Sequence, residues 1–287
     1  MEQDNLFRRD QPLSSPNAVS QTAVLIAAHG ERRPGADNEG VFRIARALAD
    51  RGLVSEMAVG FINGVPSIRD AMESLAARRI IVYPLFASSG YFTRDRLVQL
   101  IDEANHQSRE FQMLPPLGLD LGLPDLVVAF AGRAARKQGM APRACTIICM
   151  AHGSRRNSAS REATEQIAHE VANRGAFQEV RTAFLEERPF LNEAAASIDG
   201  PAIVVGLFSG EGMHGAKDAP RLISELGRDN IVFAGVIGSA PGIEDLVARS
   251  VGEALLRDIR HRKSSVNFDV NGNDCGPCLA QSTFRAV

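Results

Sequence analysis

The sequence predicts an α/β fold made of two duplicated domains, each built around a parallel β-sheet. Three observations support this prediction. The chain of 287 residues exceeds the usual size of one domain. The same motifs occur twice in the same order, and apolar runs typical of strands alternate with amphipathic segments typical of helices. Strands and helices that alternate in this way form parallel sheets with right-handed crossovers.

The internal repeat consists of three pairs of motifs. Each pair is separated by 122 or 123 residues, as are His29 and His152, which both follow an apolar run and precede a glycine. Three similar blocks in the same order indicate a duplicated unit of about 120 residues. The pairs are AVLIAAHGERR and CTIICMAHGSRR, GFINGVP and AFLEERP, and YPLFASSG and VGLFSGEG.

The first unit begins with an apolar run at 22–28, which predicts a strand buried on both faces. Helical periodicity over 38–51 then places Val41, Ile44 and Leu48 on one face. The remaining elements of this unit are predicted as strands near 56–61, 79–86 and 111–114 and helices from Pro66, from Thr93 and over 122–137.

The second unit repeats this pattern. Pro66 and its counterpart Pro189 are expected at the first helical position, where the missing N–H is not needed. Cys145 and Cys149 lie in an apolar run and are interpreted as buried strand thiols. The predicted strands are near 144–150, 179–185, 201–207 and 230–235.

Four segments follow from this pattern. We expect a flexible leader at 1–20, a first unit with a degenerate site at 21–140, a second unit with an intact site at 141–258, and a tail at 259–287. The leader is polar and has no apolar signal core, and no apolar run reaches the length of about 18 residues that spans a bilayer. The sequence therefore predicts a cytoplasmic protein that does not interact with a membrane.

Charge and aromatic content argue against nucleic acid as a partner. The chain has 32 basic and 34 acidic residues, for a formal net charge of −2, so it lacks a basic footprint. It has no Trp and only two Tyr, too few for a surface on which bases stack. We therefore expect a small-molecule partner, and the sequence leaves the oligomeric state open.

Polar side chains of the second unit follow three predicted strands. His152 follows the first strand, Glu186 and Glu187 follow the second, and His214 follows the third. Ligands of open parallel sheets bind outside the carboxyl ends of the strands, so these side chains are expected to converge. Imidazole and carboxylate groups bind divalent first-row metals and accept protons near neutral pH. Glu187 has an alternative interpretation as a solvated side chain.

The first unit keeps only part of this set. His29 corresponds to His152, but Asn63 stands where the second unit has Glu186. The position of His214 falls on Tyr91 or Phe92, depending on where a one-residue gap is placed. We therefore expect the second unit to hold the site and the first to pack against it.

The motifs of the second unit resemble those of the class II tetrapyrrole chelatases, which include the sirohydrochlorin cobaltochelatases and ferrochelatases of cobalamin and siroheme synthesis. The similar segments are AHGSR at 151–155, FLEERP at 184–189 and GLFSGEGMHGAKDAP at 206–220. The resemblance covers nearly all of 22–257, once per unit. It implies two flavodoxin-like halves with a cleft between them and insertion of a divalent metal into a tetrapyrrole without ATP.

Carried over to this chain, the resemblance implicates His152, His214 and Glu186 in catalysis and metal binding. Two-unit members of the family often keep their His pair in the first unit, whereas here it lies in the second. Sirohydrochlorin-type rings carry carboxylates on their rim, with which guanidinium and ammonium groups beside the strand ends can pair. The candidate substrate-binding residues are Arg33, Arg155, Arg156, Arg188 and Lys217.

The predicted tail contains a Cys-x-x-Cys pair, Cys275 and Cys278. Such a pair can be a redox couple, half of a metal site or ligands of an iron–sulfur cluster, and it can also have no role. Some chelatases that the chain resembles carry cysteine-rich tails. A metal or cluster at these two thiols therefore stays open at this point.

Three functions are compatible with the predicted fold. The first is an enzyme, a sirohydrochlorin-type chelatase of the lyase class, with cobalt or iron as the substrate metal. The second is a tetrapyrrole or metal carrier that binds without turnover. A nucleotide-binding enzyme is disfavoured, because neither His-Gly turn supplies a GxGxxG or GxxxxGK[ST] loop. Histidine and glutamate ligands suit cobalt, iron and nickel alike, so the sequence does not select the metal.

Overall fold

The computed structural model describes residues 6–8, 22–31, 38–106, 108–210 and 217–265. These residues form two separate β-sheets with helices on both faces of each, which is the predicted α/β architecture of two duplicated units. No helix within the described ranges is both long enough and apolar enough to cross a membrane.

The first sheet has five strands in the order β1-β3-β2-β4-β5. Its central strand β2 is fully buried, in agreement with the unbroken apolar run of its sequence. All pairings are parallel except that of β1 with β3. The strands are β1 Leu6–Arg8, β2 Thr22–Ala28, β3 Glu56–Phe61, β4 Arg79–Leu85 and β5 Glu110–Met113.

The second sheet has four parallel strands in the order β7-β6-β8-β9. Its order matches that of β3-β2-β4-β5, so the two units share one topology. The strands are β6 Thr146–Ala151, β7 Glu179–Phe184, β8 Ala202–Gly206 and β9 Ile231–Val236.

Eight helices connect the described strands. The two helices predicted with both bounds, at 38–51 and 122–137, begin and end within one residue of those positions. The helices are α1 Glu39–Asp50, α2 Ile68–Ser74, α3 Leu97–Ala104, α4 Leu123–Lys137, α5 Ala159–Asn173, α6 Leu191–Ala195, α7 Ala219–Glu225 and α8 Ile243–Ser265.

The two prolines do not occupy the expected first helical position. Pro66 precedes the N-cap residue Ser67 of α2, and both Pro66 and Pro189 follow a cis peptide bond. Pro66 instead closes the turn after β3, where its carbonyl oxygen accepts the N–H of Phe61 at 2.9 Å. Pro189 makes the equivalent bond, so the turn after the second strand has the same shape in both units.

Both predicted terminal segments contain some regular structure. Leu6–Arg8, within the predicted leader, pairs antiparallel with β3. A strand at the edge of a sheet presents unpaired N–H and C=O groups, which explains why a short segment pairs there. Helix α8 extends to Ser265, seven residues beyond the predicted end of the second unit. The remainder of both segments lies outside the described residues.

Three hydrophobic cores hold the described elements together. One core lies between the first sheet and helices α2 and α3, and another lies between the second sheet and helices α6 and α7. The largest core lies between the two sheets and includes the inner face of each, for example Ile26 of β2 and Ile147 of β6. Because both sheets contribute to this central core, the two units are packed against each other through apolar side chains.

The last helix of each unit packs across the molecule. Helix α4 follows the first sheet in the chain but contacts β8 and β9, and α8 follows the second sheet but contacts β4 and α1. Two equivalent ion pairs join these helices to the opposite unit. Arg51 pairs with Asp245 in the first turn of α8, and Arg174 pairs with Asp125 in the first turn of α4, Nε to Oδ1 at 3.0 Å. The repeat is therefore an approximate twofold arrangement.

Two glycines let the N-termini of α4 and α8 meet. A Cβ at Gly122 would lie 2.6 Å from Cδ1 of Leu246, and one at Gly242 would lie 3.4 Å from Cδ1 of Leu126. Helix α4 follows the carboxyl end of β5, and α8 follows that of β9. The carboxyl sides of the two sheets therefore come together at this contact.

The strand thiols are buried, as predicted. Cys145, just before β6, and Cys149, within it, are free cysteines in the central core. Burial raises the pKa of Cys149 to about 12, so this thiol is protonated near neutral pH and is a poor metal ligand.

Candidate functional site

The turn after β6 places His152 at the carboxyl edge of the second sheet. Its backbone carbonyl accepts the N–H of Glu186 at 3.0 Å, which ties the end of β6 to the end of β7. The Nδ1 atom of His152 lies 3.0 Å from the carbonyl oxygen of Gly153. Since a carbonyl oxygen can only accept, Nδ1 donates, and in the neutral ring Nε2 then carries the lone pair.

The lone-pair side of His152 faces the carboxylate of Glu186. Nε2 lies 3.8 Å from Oε1 of Glu186, and the two side chains are 42% and 57% exposed. This separation is too long for a hydrogen bond, and both side chains are accessible to solvent. The structure thus brings together two of the three groups that the sequence predicts.

Gly153 is required at this turn. Its φ of +73° is in the left-handed region, and a Cβ there would lie 2.8 Å from Cγ of Glu187 and 2.9 Å from Cβ of Phe184. Gly30, in the first unit, has φ +71° and the same close approach to Phe61. Both units therefore bend the chain after the first strand in the same way.

Glu187 is not a solvated side chain. It is only 16% exposed, its Oε1 accepts the N–H of Ser154 at 2.9 Å, and its Oε2 accepts Nε and Nη2 of Arg161 at 3.0 and 2.6 Å. Burial by itself raises the pKa of Glu187, but the hydrogen bonds from Ser154 and Arg161 outweigh it and hold the pKa below its usual value. Glu187 is therefore a partly buried carboxylate that anchors the turn through its hydrogen bonds.

Arg161 completes this anchor and was not singled out by sequence reasoning. Its guanidinium also donates to the carbonyl of Arg188 and lies 4.7 Å from the centre of the Phe184 ring. The Arg161–Glu187 pair thus clamps the turn that carries His152 to the turn that carries Glu186. A signal existed in the sequence, since Arg161 lies in the first turn of the helix after the His-Gly motif.

The predicted substrate-binding cations are distributed around this edge. Arg155 donates Nε to the carbonyl of Glu186 at 3.0 Å. Arg188 is 80% exposed and lies 3.2 Å from Glu193, Nη1 to Oε1. Arg156 and Lys217 are exposed. The remaining predicted site residues, namely His214, Arg33, Cys275 and Cys278, lie outside the described residues.

Within the described ranges, no group of three or more His, Cys, Asp or Glu side chains is arranged to hold a metal ion. His152 and Glu186 form a pair, and the predicted third ligand, His214, is outside those ranges. The chemistry of the described pair is that of one imidazole lone pair and one carboxylate. Such a pair can accept protons or supply part of a coordination sphere.

The register of the sheets identifies the counterpart of His214. In the first sheet Ala27 is opposite Pro84, and in the second Met150 is opposite Gly206. The third strands are therefore 122 residues apart, whereas the first strands are 123 apart. Helices α3 and α7 begin at Leu97 and Ala219, again 122 apart. The elements on both sides of this loop share the offset of 122, which matches Phe92 with His214 in the sequence, although residues 211–216 themselves lie outside the described ranges.

His29 has different neighbours from His152. Its Nε2 lies 3.5 Å from Nδ2 of Asn63, and its ring centre lies 4.7 Å from that of Phe92 in an edge-to-face arrangement. Partial burial lowers the pKa of His29 below its usual value, so its imidazole is neutral at pH 7. The first unit therefore holds one imidazole between an amide and an aromatic ring.

The chain is similar to known chelatases over both units. The model of the CbiX family matches residues 23–134 and 146–254. A probable sirohydrochlorin cobaltochelatase of Halobacterium salinarum is 23% identical over 267 residues, covering 81% of this chain and 91% of that protein.

Solved structures of chelatases have the same fold. CbiX, described as the terminal enzyme of siroheme biosynthesis in denitrifying bacteria, superposes with a TM-score of 0.69 at 29% identity, covering 81% of this chain and 99% of that one. SirB of Bacillus subtilis with Fe3+ gives a TM-score of 0.69 at 18% identity, covering 87% of this chain and 100% of that one. The sirohydrochlorin chelatase SirB of Bacillus subtilis subspecies spizizenii in complex with cobalt gives 0.63 at 19% identity, covering 85% and 96%.

Proposed function

Because the chain belongs to the CbiX family, we propose that it inserts a divalent metal ion, cobalt or ferrous iron, into sirohydrochlorin or a related carboxylated tetrapyrrole. The observation that carries the proposal is the His152–Glu186 pair, with Nε2 of the imidazole facing Oε1 of the carboxylate at 3.8 Å on the carboxyl edge of the second sheet. The step fits siroheme synthesis, which the description of the similar CbiX names, and it equally fits cobalamin synthesis if the metal is cobalt.

The reaction exchanges two protons for one metal ion. The two pyrrole N–H protons leave the ring as the metal enters, so the charge balances without oxidation, reduction or ATP. Groups that accept protons near neutral pH therefore accelerate it. We assign this role to His152, through the lone pair of Nε2, and to Glu186, whose carboxylate stabilises the imidazolium that forms.

We propose His214 as the second imidazole. In the first unit its counterpart, Phe92, lies 4.7 Å from His29, the counterpart of His152. By the symmetry of the repeat, a side chain at position 214 is expected close to His152. The incoming metal, as substrate, would then meet two imidazoles and the carboxylate of Glu186, a donor set suited to cobalt or iron.

The clamp formed by Arg161 and Glu187 positions His152 and Glu186. It holds the two turns through Ser154 N–H and the Arg188 carbonyl, so the spacing of His152 and Glu186 does not depend on exposed side chains alone. Arg155 and Arg188 lie on the same turns and are proposed to pair with carboxylates on the rim of the ring. We propose that three further cations pair with the same carboxylates, namely the exposed Lys217 and Arg156 together with Arg33.

A metal-insertion assay tests the proposal. Metal-free sirohydrochlorin is incubated with catalytic amounts of protein and either cobalt or, without oxygen, ferrous iron, and insertion is followed by the change in the absorption spectrum of the ring. We expect many turnovers with one of the two metals. His169→Ala, which removes an exposed histidine on α5, is the matched control for His152→Ala and should keep full activity.

Two results would contradict the proposal. A spectral change that stops at one ring per protein would favour the alternative of a tetrapyrrole or metal carrier. Equal activity of His152→Ala and His169→Ala would show that the described edge of the second sheet is not the site of metal insertion.

A further inference from the structure

The outer edge of β7 is a long and regular strand edge of the second sheet. Among the described strands, β1, β5, β7 and β9 lie at the edges of the two sheets. Strands β1 and β5 have three and four residues, and the pairing of β9 with β8 shifts its register between Val204 and Val205. Short strands and such irregularities protect an edge from pairing with another chain. Strand β7 has neither, since it has six residues and pairs with β6 without a shift.

The backbone groups of two β7 residues point away from the sheet. The N–H of Leu185 donates to the carbonyl of Ala151 at the end of β6, whereas the N–H of Phe184 donates into the turn that follows β7. Because this direction alternates along a strand, the backbone groups of Val180 and Thr182 point away from β6, like those of Phe184. Among the described residues, none forms a backbone hydrogen bond with these outward groups. They can therefore pair with another strand.

The first unit shows that this edge of the fold accepts an antiparallel strand. Strand β3 corresponds to β7, and Met57 of β3 corresponds to Val180. In the first sheet β1 pairs antiparallel with β3, with Phe7 opposite Met57. All residues of β3 after Glu56 are buried, whereas the side chains of residues 180–182 are partly exposed. The equivalent edge of the second sheet therefore has the same backbone shape without the covering strand.

Two opposite charges flank Val180 on one face of β7. Nε of Arg181 lies 2.8 Å from Oε1 of Glu179, and Nη2 lies 2.9 Å from Oε2. The remaining Nη1 donates to the carbonyl of Ala194 at 2.7 Å and to Oγ of Ser197 at 2.8 Å. The guanidinium is thus fixed in position, and the two charges cancel. A second chain that approaches this edge is therefore not repelled by a net charge.

We propose that β7 pairs antiparallel with β7 of a second copy of the chain, about a twofold axis at Val180. In this register Glu179 of each copy lies opposite Arg181 of the other, so the edge is complementary in charge to itself. An axis at Thr182 would instead place Arg181 opposite Ala183, so the charges select the first register. The paired strands run in opposite directions, so the carboxyl ends of the two second sheets lie at opposite ends of the joined sheet. The inference does not depend on metal insertion.

Sedimentation equilibrium of the full chain over a range of concentrations tests this inference. We expect the wild type to dimerise as its concentration rises. Glu179→Arg places two arginines opposite each other at both ends of the paired segment, so it should raise the Kd of the dimer by about tenfold or more. The matched control is Glu253→Arg, which makes the same charge change at an exposed position of α8 and should leave the Kd unchanged.

A mixture of two charge variants tests the register itself. Arg181→Glu alone places like charges opposite each other, as Glu179→Arg alone does, so each variant should dimerise weakly. In a mixed dimer of the two variants, both cross-strand pairs again join an arginine to a glutamate. We therefore expect mixed dimers to form with about the affinity of the wild type, detected by a mass tag on one variant.

Hydrogen exchange of the wild-type chain gives a readout that does not depend on any variant. The amide of Val180 should exchange more slowly as the protein concentration rises, because it becomes hydrogen-bonded in the dimer. The amide of Met57, whose edge is already covered by β1, is the internal control and should not change with concentration. A wild type that stays monomeric up to about 0.5 mM would overturn the inference. A dimer that forms equally well in Glu179→Arg, or without protection of Val180, would also overturn it.

Discussion

The two units build the same turn after their first strand but surround it with different chemistry. His29 and His152 follow equivalent strands, and Gly30 and Gly153 both have a left-handed backbone packed against a phenylalanine. Beyond that turn the second unit has the Arg161–Glu187 clamp, whereas the first has Asn38 and Gly64 at the same positions. The comparison shows that two units can share the backbone of this turn while the charged groups around it differ.

Loss of His152 should have the largest effect. We expect His152→Ala to lower the rate of metal insertion by at least about 100-fold, since a positioned proton acceptor contributes that much. His29→Ala should lower it by no more than about threefold, because Asn63 and Phe92 give His29 no metal-binding partner. The effects of the two variants are measured as initial rates of insertion at saturating concentrations of tetrapyrrole and metal ion. A similar loss in both variants would show that the two units contribute equally.

Loss of the Arg161–Glu187 clamp should have the next largest effect, which we expect on the stability of the fold. Glu187→Gln keeps the shape of the side chain but removes its charge, which weakens the hydrogen bonds from Arg161 and Ser154. We expect the free energy of unfolding to fall by about 1–3 kcal/mol. Glu165→Gln, which removes an exposed partner of the same arginine, is the control and should cost less than about 1 kcal/mol. Denaturant titration measures the free energy of unfolding of both variants. An equal decrease in Glu187→Gln and Glu165→Gln would argue against the clamp.

The contribution of the clamp to the free energy of unfolding should also depend on pH in a predictable direction. Because the pKa of Glu187 is held below its usual value in the folded chain, its contribution is complete at pH values above the unfolded pKa of about 4.5 and is lost as the pH falls through the lower folded value. The difference in unfolding free energy between the wild type and Glu187→Gln should therefore shrink as the pH falls below about 4.5. A difference that stays constant down to the folded pKa would contradict this assignment.

The two ion pairs that join the units should have small and equal effects. Arg51–Asp245 and Arg174–Asp125 are equivalent by the repeat, and their aspartates are 76% and 66% exposed. Double-mutant cycles with alanine should give a coupling energy of about 0.2–1 kcal/mol for each pair. A coupling above about 2 kcal/mol for one pair alone would show that the interface is not symmetric in energy.

Changes in the tail should have the smallest effect. We expect Cys275→Ser with Cys278→Ser to leave insertion of free metal within about twofold of the wild type, because the proposed donors all lie between 152 and 214. Truncation should follow residue 265, since an earlier cut would shorten α8. Spectra recorded without oxygen would detect a cluster as visible bands that vanish in the double variant. Loss of all activity in a folded variant would make the tail part of the site.

The sequence alone was sufficient for much of the site and the fold. Alternating apolar runs and amphipathic segments predicted the eight parallel strands of the two sheets, since a buried parallel strand is apolar on both faces, but not the antiparallel strand β1 in the expected leader. The repeat placed His152 and Glu186 at strand ends, where the topology of a parallel sheet makes them neighbours. These features follow from local pattern and from one general rule of sheet geometry.

Other features were decided only by the tertiary structure. Sequence order assigned α4 and α8 to their own units, but the two sheets present similar apolar faces, so only packing determines which face each helix covers. The sequence left open whether Glu187 is solvated, because its pairing with Arg161, 26 residues away, depends on how two turns approach each other. The choice between Tyr91 and Phe92 as the counterpart of His214 required the register of the strands, which is set by backbone hydrogen bonds between distant segments and is not encoded in local periodicity.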